Sequence, residues 1–289
     1  MEKEKNKTEK STLYLVATPI GNLADISERA KKVLSEVDFI AAEDTRNSLK
    51  LLTCLGIRAE LVSYHEHNKK SAGEKIIARL LGGESCAVIT DAGMPAISDP
   101  GEDIVRLAAE AGVCVRVIPG ACAAVSALSL SALSTGRFCF EGFISPNKQE
   151  RRERLAALKN ERRTMIIYEA PHKLKSTIED LCENFGDERR ISLCRELTKI
   201  NEDVMRTTLK GAMEYYDAHE PKGEYVLILE GADEAGVATT DKNPLTDLAP
   251  EEHIKHYEDT GLSRMDAIKR AAKDRGMTKS ELYKLVNIG

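Results

Sequence analysis

Residues 88–101 read Val88-Ile89-Thr90-Asp91-Ala92-Gly93-Met94-Pro95-Ala96-Ile97-Ser98-Asp99-Pro100-Gly101, a short apolar strand running into a loop of acids, glycines and prolines before a helix begins. It has the form of a ligand loop at the carboxyl end of a sheet strand. Cys86-Ala87-Val88-Ile89 is apolar without alternation, as a strand covered on both faces should be. Asp99 can cap the helix that follows, with Pro100 at its first position and Glu102 three residues on. Gly93 lets backbone come close to a bound molecule. An ordinary tight connection is the competing reading of this stretch alone. A second stretch, Leu13-Tyr14-Leu15-Val16-Ala17-Thr18-Pro19-Ile20-Gly21-Asn22-Leu23-Ala24-Asp25, repeats the plan of apolar strand, proline and glycine turn, then helix. Its single glycine does not make the G-x-G-x-x-G dinucleotide fingerprint, and no G-x-x-x-x-G-K-[ST] occurs in the chain. What remains is a nucleoside-like ligand held largely by loop backbone.

Outward from these loops, strands and helices alternate from residue 12 to about 132, with strands expected at Thr12 to Ala17, Asp38 to Ala41, Glu60 to Ser63, Cys86 to Thr90 and Cys114 to Ile118. Alternation of this kind predicts a parallel, doubly wound α/β domain over 12–132. A break at Leu133-Ser134-Thr135-Gly136-Arg137 opens a second α/β domain, 133–231. Its strands are expected near Phe138 to Phe143, Thr164 to Glu169, Arg189 to Cys194, Val204 to Leu209 and Glu224 to Glu230, and its short connections suggest a mixed sheet. Residues 232–248 are polar and read as a linker. Residues 249–289 then carry three short helices, near Pro250 to Asp259, Arg264 to Asp274 and Lys279 to Val286.

At 289 residues the chain exceeds what one core usually organises. The apolar run Ala121 to Leu133 is too short to span a membrane and is broken by serines. Residues 1–11, rich in Lys and Glu, read as a disordered tail rather than a signal peptide. Seven cysteines lie scattered in apolar contexts with no C-x-x-C pair, which favours reduced thiols and a cytoplasmic protein over zinc or disulfides. His65-Glu66-His67 could present two imidazoles on one strand face, but no third ligand is evident and no metal is expected.

The two opening stretches, together with Ala42-Glu43-Asp44-Thr45-Arg46, Ser63-Tyr64-His65, Val117-Ile118-Pro119-Gly120-Ala121, Phe140-Glu141-Gly142-Phe143, Tyr168-Glu169-Ala170-Pro171-His172, Cys194-Arg195-Glu196-Leu197-Thr198-Lys199 and Lys222-Gly223-Glu224-Tyr225-Val226, resemble the tetrapyrrole methylase superfamily nearly end to end. Ala170 departs from it, since the family more often has serine there. Corrin- and porphyrin-methylating members carry a G-x-G-P-G type turn where this chain has Ala17-Thr18-Pro19-Ile20-Gly21, and they lack the Ala-Glu-Asp-Thr-Arg run. The resemblance therefore points to the ribosomal RNA-methylating branch. It implies two α/β domains of the tetrapyrrole methylase type with S-adenosyl-L-methionine in the cleft between them. It also implies a homodimer, and as substrate the 2'-hydroxyl of a decoding-centre cytidine in the 16S rRNA of the small ribosomal subunit. A corrin or porphyrin precursor methyltransferase and a noncatalytic ribosome-binding factor stay open as alternatives.

A ribose hydroxyl is a poor nucleophile at neutral pH, so a carboxylate or imidazole should accept its proton. Asp25, Glu43, Asp44, His65, Glu169 and His172 are available, with Arg46, Lys173 and Arg195 to hold phosphates or orient acids. The favoured set is Glu43, Asp44, Arg46 and His172 for the chemistry. For the donor it is Pro19, Asp91, Ala92, Gly93, Pro95, Ala121, Tyr168 and Glu169. Asp44 could equally be a helix cap. In the tail, Ser263-Arg264-Met265-Asp266 and Thr278-Lys279-Ser280-Glu281 are capping boxes flanking Arg275-Gly276-Met277, a helix-turn-helix outline. Leu262 to Val286 holds seven Lys/Arg against three Asp/Glu in a chain of net charge −5, which suits phosphate contact; a solvated helical hairpin is the plainer alternative. Asn147 to Arg163 has the same balance and reads more simply as an exposed helix face.

Overall fold

The computed structural model describes residues 7–232, 244–275 and 277–286. Residues up to 231 form one compact unit and the remainder a second. In the first unit, β1 (Thr12–Val16), β2 (Phe39–Ala42), β3 (Glu60–Ser63), β4 (Cys86–Ile89) and β5 (Cys114–Ile118) make an all-parallel sheet in the order β3-β2-β4-β1-β5. The continuous apolar strands are explained by burial on both faces. Tyr14, Val16, Ile40, Ala42, Ala87 and Ile89 pack under α1 (Glu28–Glu36) and α2 (Thr45–Cys54). The alternate residues Leu13, Leu15, Phe39, Ala41, Cys86 and Val88 pack under α3 (Lys69–Leu81) and α4 (Gly101–Glu110).

The helix α5 (Ala123–Leu130), assigned from sequence to the end of the first α/β segment, packs elsewhere. Ala124, Ala127 and Leu128 lie against Ile166, Cys194, Val226 and Ile228 of a second sheet. That sheet contains β6 (Phe138–Phe143), β7 (Thr164–Glu169), β8 (Arg190–Arg195), β9 (Asp203–Thr208) and β10 (Tyr225–Leu229) in the order β6-β7-β10-β8-β9. The β6–β7 pair is parallel and the others antiparallel, so the sheet is mixed. Its other face is covered by α6 (Lys148–Leu158), α7 (Leu174–Phe185) and α8 (Leu209–Ala218). By packing, then, α5 is shared property: it follows the first sheet in sequence and completes the second in space.

Of the tail expected at residues 1–11, positions 1–6 lie outside the described residues. Glu9 and Lys10 are held by side chains of the fold: Tyr14 Oη accepts from the Glu9 amide at 2.8 Å, and Lys10 Nζ donates to Asp38 at 2.6 Å. Of the expected linker, 233–243 is likewise outside the described residues, and Pro244–Asp247 forms a 3-10 turn. The second unit contains α9 (Pro250–Asp259), α10 (Arg264–Asp274) and α11 (Lys279–Val286) around Ile254, Ala267, Ile268, Ala271 and Leu282. Gly276 of the expected turn is outside the described residues. The Thr278 box closes reciprocally, Thr278 N donating to Glu281 at 2.7 Å and Glu281 N to Thr278 Oγ1 at 3.3 Å. At Ser263 the hydroxyl accepts from Asp266 N at 3.3 Å. Sequence reasoning missed a buried polar knot here, in which Arg275 Nε donates to His253 Nδ1 at 3.1 Å.

Candidate active site

The two opening loops meet. Thr18 N donates to Gly93 O at 2.9 Å, Gly93 N donates back to Thr18 O at 3.2 Å, and Thr18 Oγ1 donates to Thr90 O at 3.1 Å. β1 and β4 are parallel neighbours, so their following loops leave the same sheet end, and this bridge fastens them side by side. Gly93 has φ +87, a conformation that favours glycine, and a Cβ there would stand 3.2 Å from Ile20 Cγ2 and press on it. Farther along, the Asp99 carboxylate accepts from the amides of Ala96 (3.0 Å), Ile97 (3.3 Å) and Gly101 (2.6 Å). It thus accepts from the first amide of α4, which starts at Gly101 with Pro100 rather than Asp99 in the cap position, and it braces a loop in which Ala96 and Ser98 have φ 67 and 61. Left-handed backbone at two non-glycine residues survives only where surroundings over-determine it.

These loops form one wall of a cleft of about 520 Å³, a size suited to a small organic ligand. The opposite wall comes from the second sheet, where Tyr168 and Glu169 end β7, Cys194 stands one residue from the end of β8 with Leu197 just beyond it, and Tyr225 and Val226 begin β10. Phe140 and Phe143 stand edge-on to the Tyr168 ring at 5.1 and 5.5 Å. Burial pushes the Tyr168 hydroxyl up to about 12, so it stays neutral. Met94, Ile97 and Ile20 supply the apolar surface of the first wall, and the Glu43 carboxylate stands beside them, accepting from Thr90 Oγ1 at 2.9 Å.

Of the expected residues, Glu43, Asp91, Ala92, Gly93, Tyr168 and Glu169 line this cleft. Pro19, Pro95 and Ala121 do not line it; their neighbours Ile20, Met94 and Cys122 do. Pro95 is buried beneath its loop, and the Ala121 carbonyl faces Gly93, 3.6 Å from where a Cβ would be. Glu169 is buried and occupied, accepting from Ala170 N at 2.8 Å and Thr177 Oγ1 at 2.6 Å. Asp44 and Arg46 stand outside the lining. Asp44 caps α2 by accepting from Arg46 N at 2.8 Å and is gripped by the Arg46 guanidinium at 3.1 and 2.8 Å. Those side-chain hydrogen bonds hold its carboxyl at about 2. His172 is exposed in the short 3-10 turn after β7 and is not part of the lining either.

His65 and His67 lie ring edge to ring face at 5.9 Å, with His65 Nδ1 buried and without a hydrogen-bond partner. Three members of the basic run at 147–163 are ion-paired: Arg151 with Asp180, Arg154 with Glu141, and Arg163, beyond the end of α6, with Glu161 at 2.7 Å. Sequence reasoning missed Ile20, Ile97, Phe143, Cys194, Leu197 and Val226 as cleft residues. A signal existed for several of them, because the Cys194 to Lys199 and Lys222 to Val226 segments carry the family resemblance, yet apolar residues with no chemistry of their own drew no assignment.

Residues 12–212 match the family described as Tetrapyrrole (Corrin/Porphyrin) Methylases. Relatives similar over nearly their whole length bear the name Ribosomal RNA small subunit methyltransferase I. The protein from Halalkalibacterium halodurans is 46% identical over 96% of both chains. That from Bacillus subtilis is 43% identical over 98% of this chain and 96% of its own, and that from Escherichia coli O157:H7 is 41% identical over 94% and 93%. Among solved structures, a diphthine synthase aligns with TM-score 0.59 at 15% identity, covering 76% of this chain and 90% of its own. A uroporphyrin-III-C-methyltransferase from Thermus thermophilus aligns with TM-score 0.54 at 20% identity, covering 75% and 94%. At such identities these two speak for the shared fold alone.

Proposed function

We propose that this chain, which belongs to the tetrapyrrole (corrin/porphyrin) methylase family, methylates the 2'-hydroxyl of a decoding-centre cytidine in the 16S rRNA of the small ribosomal subunit, with S-adenosyl-L-methionine as donor. The observation that carries this reading is the near end-to-end likeness to relatives bearing a ribosomal RNA methyltransferase name. A ribosomal substrate puts its work in the cytoplasm.

The residues of the cleft fit such a donor. Gly93 keeps backbone within reach of a ligand, Met94, Ile97 and Val226 offer apolar surface to a flat heterocycle, and Asp91 offers a carboxylate to polar groups. When bound, the donor supplies an electrophilic methyl group on sulfonium, which passes to the ribose oxygen as its bond to sulfur breaks. The chain has to align that oxygen and receive its proton. Glu43 is the acceptor we assign, since it faces the cleft and the Thr90 hydroxyl orients its carboxylate. Asp44 stands outside the cleft lining, with its carboxylate taken up by the Arg46 amide and guanidinium, and it serves as a helix cap. In the tail unit Lys269, Arg270, Lys273, Lys279 and Lys284 are exposed, and this supports its assignment to rRNA phosphates. For the homodimer, exposed Val117, Val125 and Leu130 are apolar surface that a second copy would cover.

Labelled donor offered with 30S particles, naked 16S rRNA and a corrin precursor separates the readings. A 2'-O-methyl group removes the nucleophile for alkaline cleavage, so the modified cytidine should leave a gap in an alkaline ladder of the rRNA. Label in the precursor and none in the RNA overturns the assignment, as does labelled RNA with an unbroken ladder.

A further inference from the structure

Phe140 and Phe143 are three positions apart on β6, a spacing that in a regular strand sends them to opposite faces of the sheet. The strand is not regular. Phe140 pairs with Ile166 and Gly142 with Ile167, leaving Glu141 as the extra residue of a β-bulge. The bulge shifts the parity, so Phe143 pairs with Tyr168 instead of Glu169, and both phenylalanine rings come to lie on the Tyr168 face. Bulges re-aim side chains in this way beside functional sites.

The device is held from two sides. Gly142 has φ +62, and a Cβ there would be 2.9 Å from Ser98 Oγ in the loop after β4; the Glu141 carboxylate is nearly buried against Arg154 of α6. What this arrangement yields is an aromatic ring at the cleft that is 63% exposed. The sequence contains only five phenylalanines and no tryptophan. Folding by itself favours turning such a ring inward, toward the face that holds the larger apolar cluster of this sheet.

We propose that Phe143 is the stacking platform for the base of the nucleotide whose ribose is methylated, and so a positioning and specificity residue of the reaction; this rests on the function proposed above. A nucleotide whose sugar enters a cleft must leave its neighbours in the RNA stack, and an exposed ring at the cleft replaces the lost stacking. Tyr168 braces the ring in an edge contact, 5.5 Å between centroids with the planes at 63°, and the Phe143 side chain still keeps most of its surface free.

The test compares Phe143→Ala, Phe143→Leu and Phe143→Tyr with the parent protein by calorimetric titration of S-adenosylmethionine and by steady-state methylation of 30S particles. We expect donor affinity to be unchanged in all three. For the particle, kcat/KM should fall about 5- to 150-fold in the Ala variant, nearly as far in the Leu variant, which keeps apolar bulk without a π face, and little in the Tyr variant. Donor affinity falling in step with kcat/KM would assign the ring to the donor's own heterocycle and overturn the inference. A Leu variant equal to the parent would reduce Phe143 to a greasy rim and overturn it too. A parent protein that binds donor and methylates no particle overturns the underlying function, a failure visible before any variant is compared.

Discussion

Replacing Gly93 by alanine tests the donor cleft at one atom. At φ +87 a residue with a Cβ pays about 1–2 kcal/mol for left-handed backbone. The added methyl would also stand 3.2 Å from Ile20 Cγ2, so Ile20, itself a cleft residue, must give by a few tenths of an ångström. If the loop relaxes to escape the strain, its two backbone bonds to Thr18 open and the donor must re-form them on binding. At about 1.4 kcal/mol per tenfold, the dissociation constant for S-adenosylmethionine should then rise about 5- to 30-fold. Gly83 is the control: it has φ +98 with nothing within 4 Å of a Cβ, and it does not line the cleft. Gly83→Ala carries the same backbone cost, lowering the melting temperature by about 2–8 °C, and should leave donor affinity within about twofold. Calorimetric titration and thermal unfolding of both variants read the contrast. Parent-like affinity in Gly93→Ala, or equal weakening in both, would refute the placement of the donor against this loop.

Glu43→Gln should cut methyl transfer to 30S particles by about 10²- to 10⁴-fold with donor affinity unchanged, whereas Asp44→Asn should act through the start of α2 and show a far smaller loss; single-turnover rates rank the two. Asp38 accepts from Lys10 Nζ at 2.6 Å and from Ser85 Oγ and N at 2.6 and 2.7 Å, and these bonds hold its carboxyl at about 2, below the unfolded value of about 3.9. A lowered folded value means a contribution fully present above about pH 4 and lost as the pH falls through about 2; urea midpoints should drop more steeply with acid in the parent than in Asp38→Asn. Leu282→Ala empties a fully buried site of the tail unit at a cost of about 2–5 kcal/mol, comparable to all that so small a core supplies. It should unfold the tail, reduce binding of 30S particles and leave donor titrations untouched. Deleting the chain after Gly231 should do the same while flattening the salt dependence of particle binding; equal affinity of both proteins for the particle would make the tail a packing element.

Much of this protein is written locally. The unbroken apolar runs Cys86 to Ile89 and Leu13 to Val16 state that their strands are covered on both faces. The carboxylate of Asp99 and the boxes at Ser263 and Thr278 mark where helices begin, because these bonds involve atoms only two or three residues apart. The turn glycines likewise report a backbone conformation that their own residue type permits. The allegiance of α5 had no local sign: an apolar helix of Ala, Val, Leu and Ser suits either sheet, and only the exposed faces left by the other helices decided that it packs on the second. Glu43 and Asp44 are adjacent and chemically alike, yet the start of α2 turns Asp44 toward its own helix and Arg46 while Glu43 meets Thr90 across the sheet. The bulge at Glu141 is the same kind of fact, since a strand's parity is set by the partner it pairs with. Element type and boundary follow from interactions along the chain, which sequence records directly; which side chains share a cavity depends on pairings between distant segments, and those exist only once the sheets have formed.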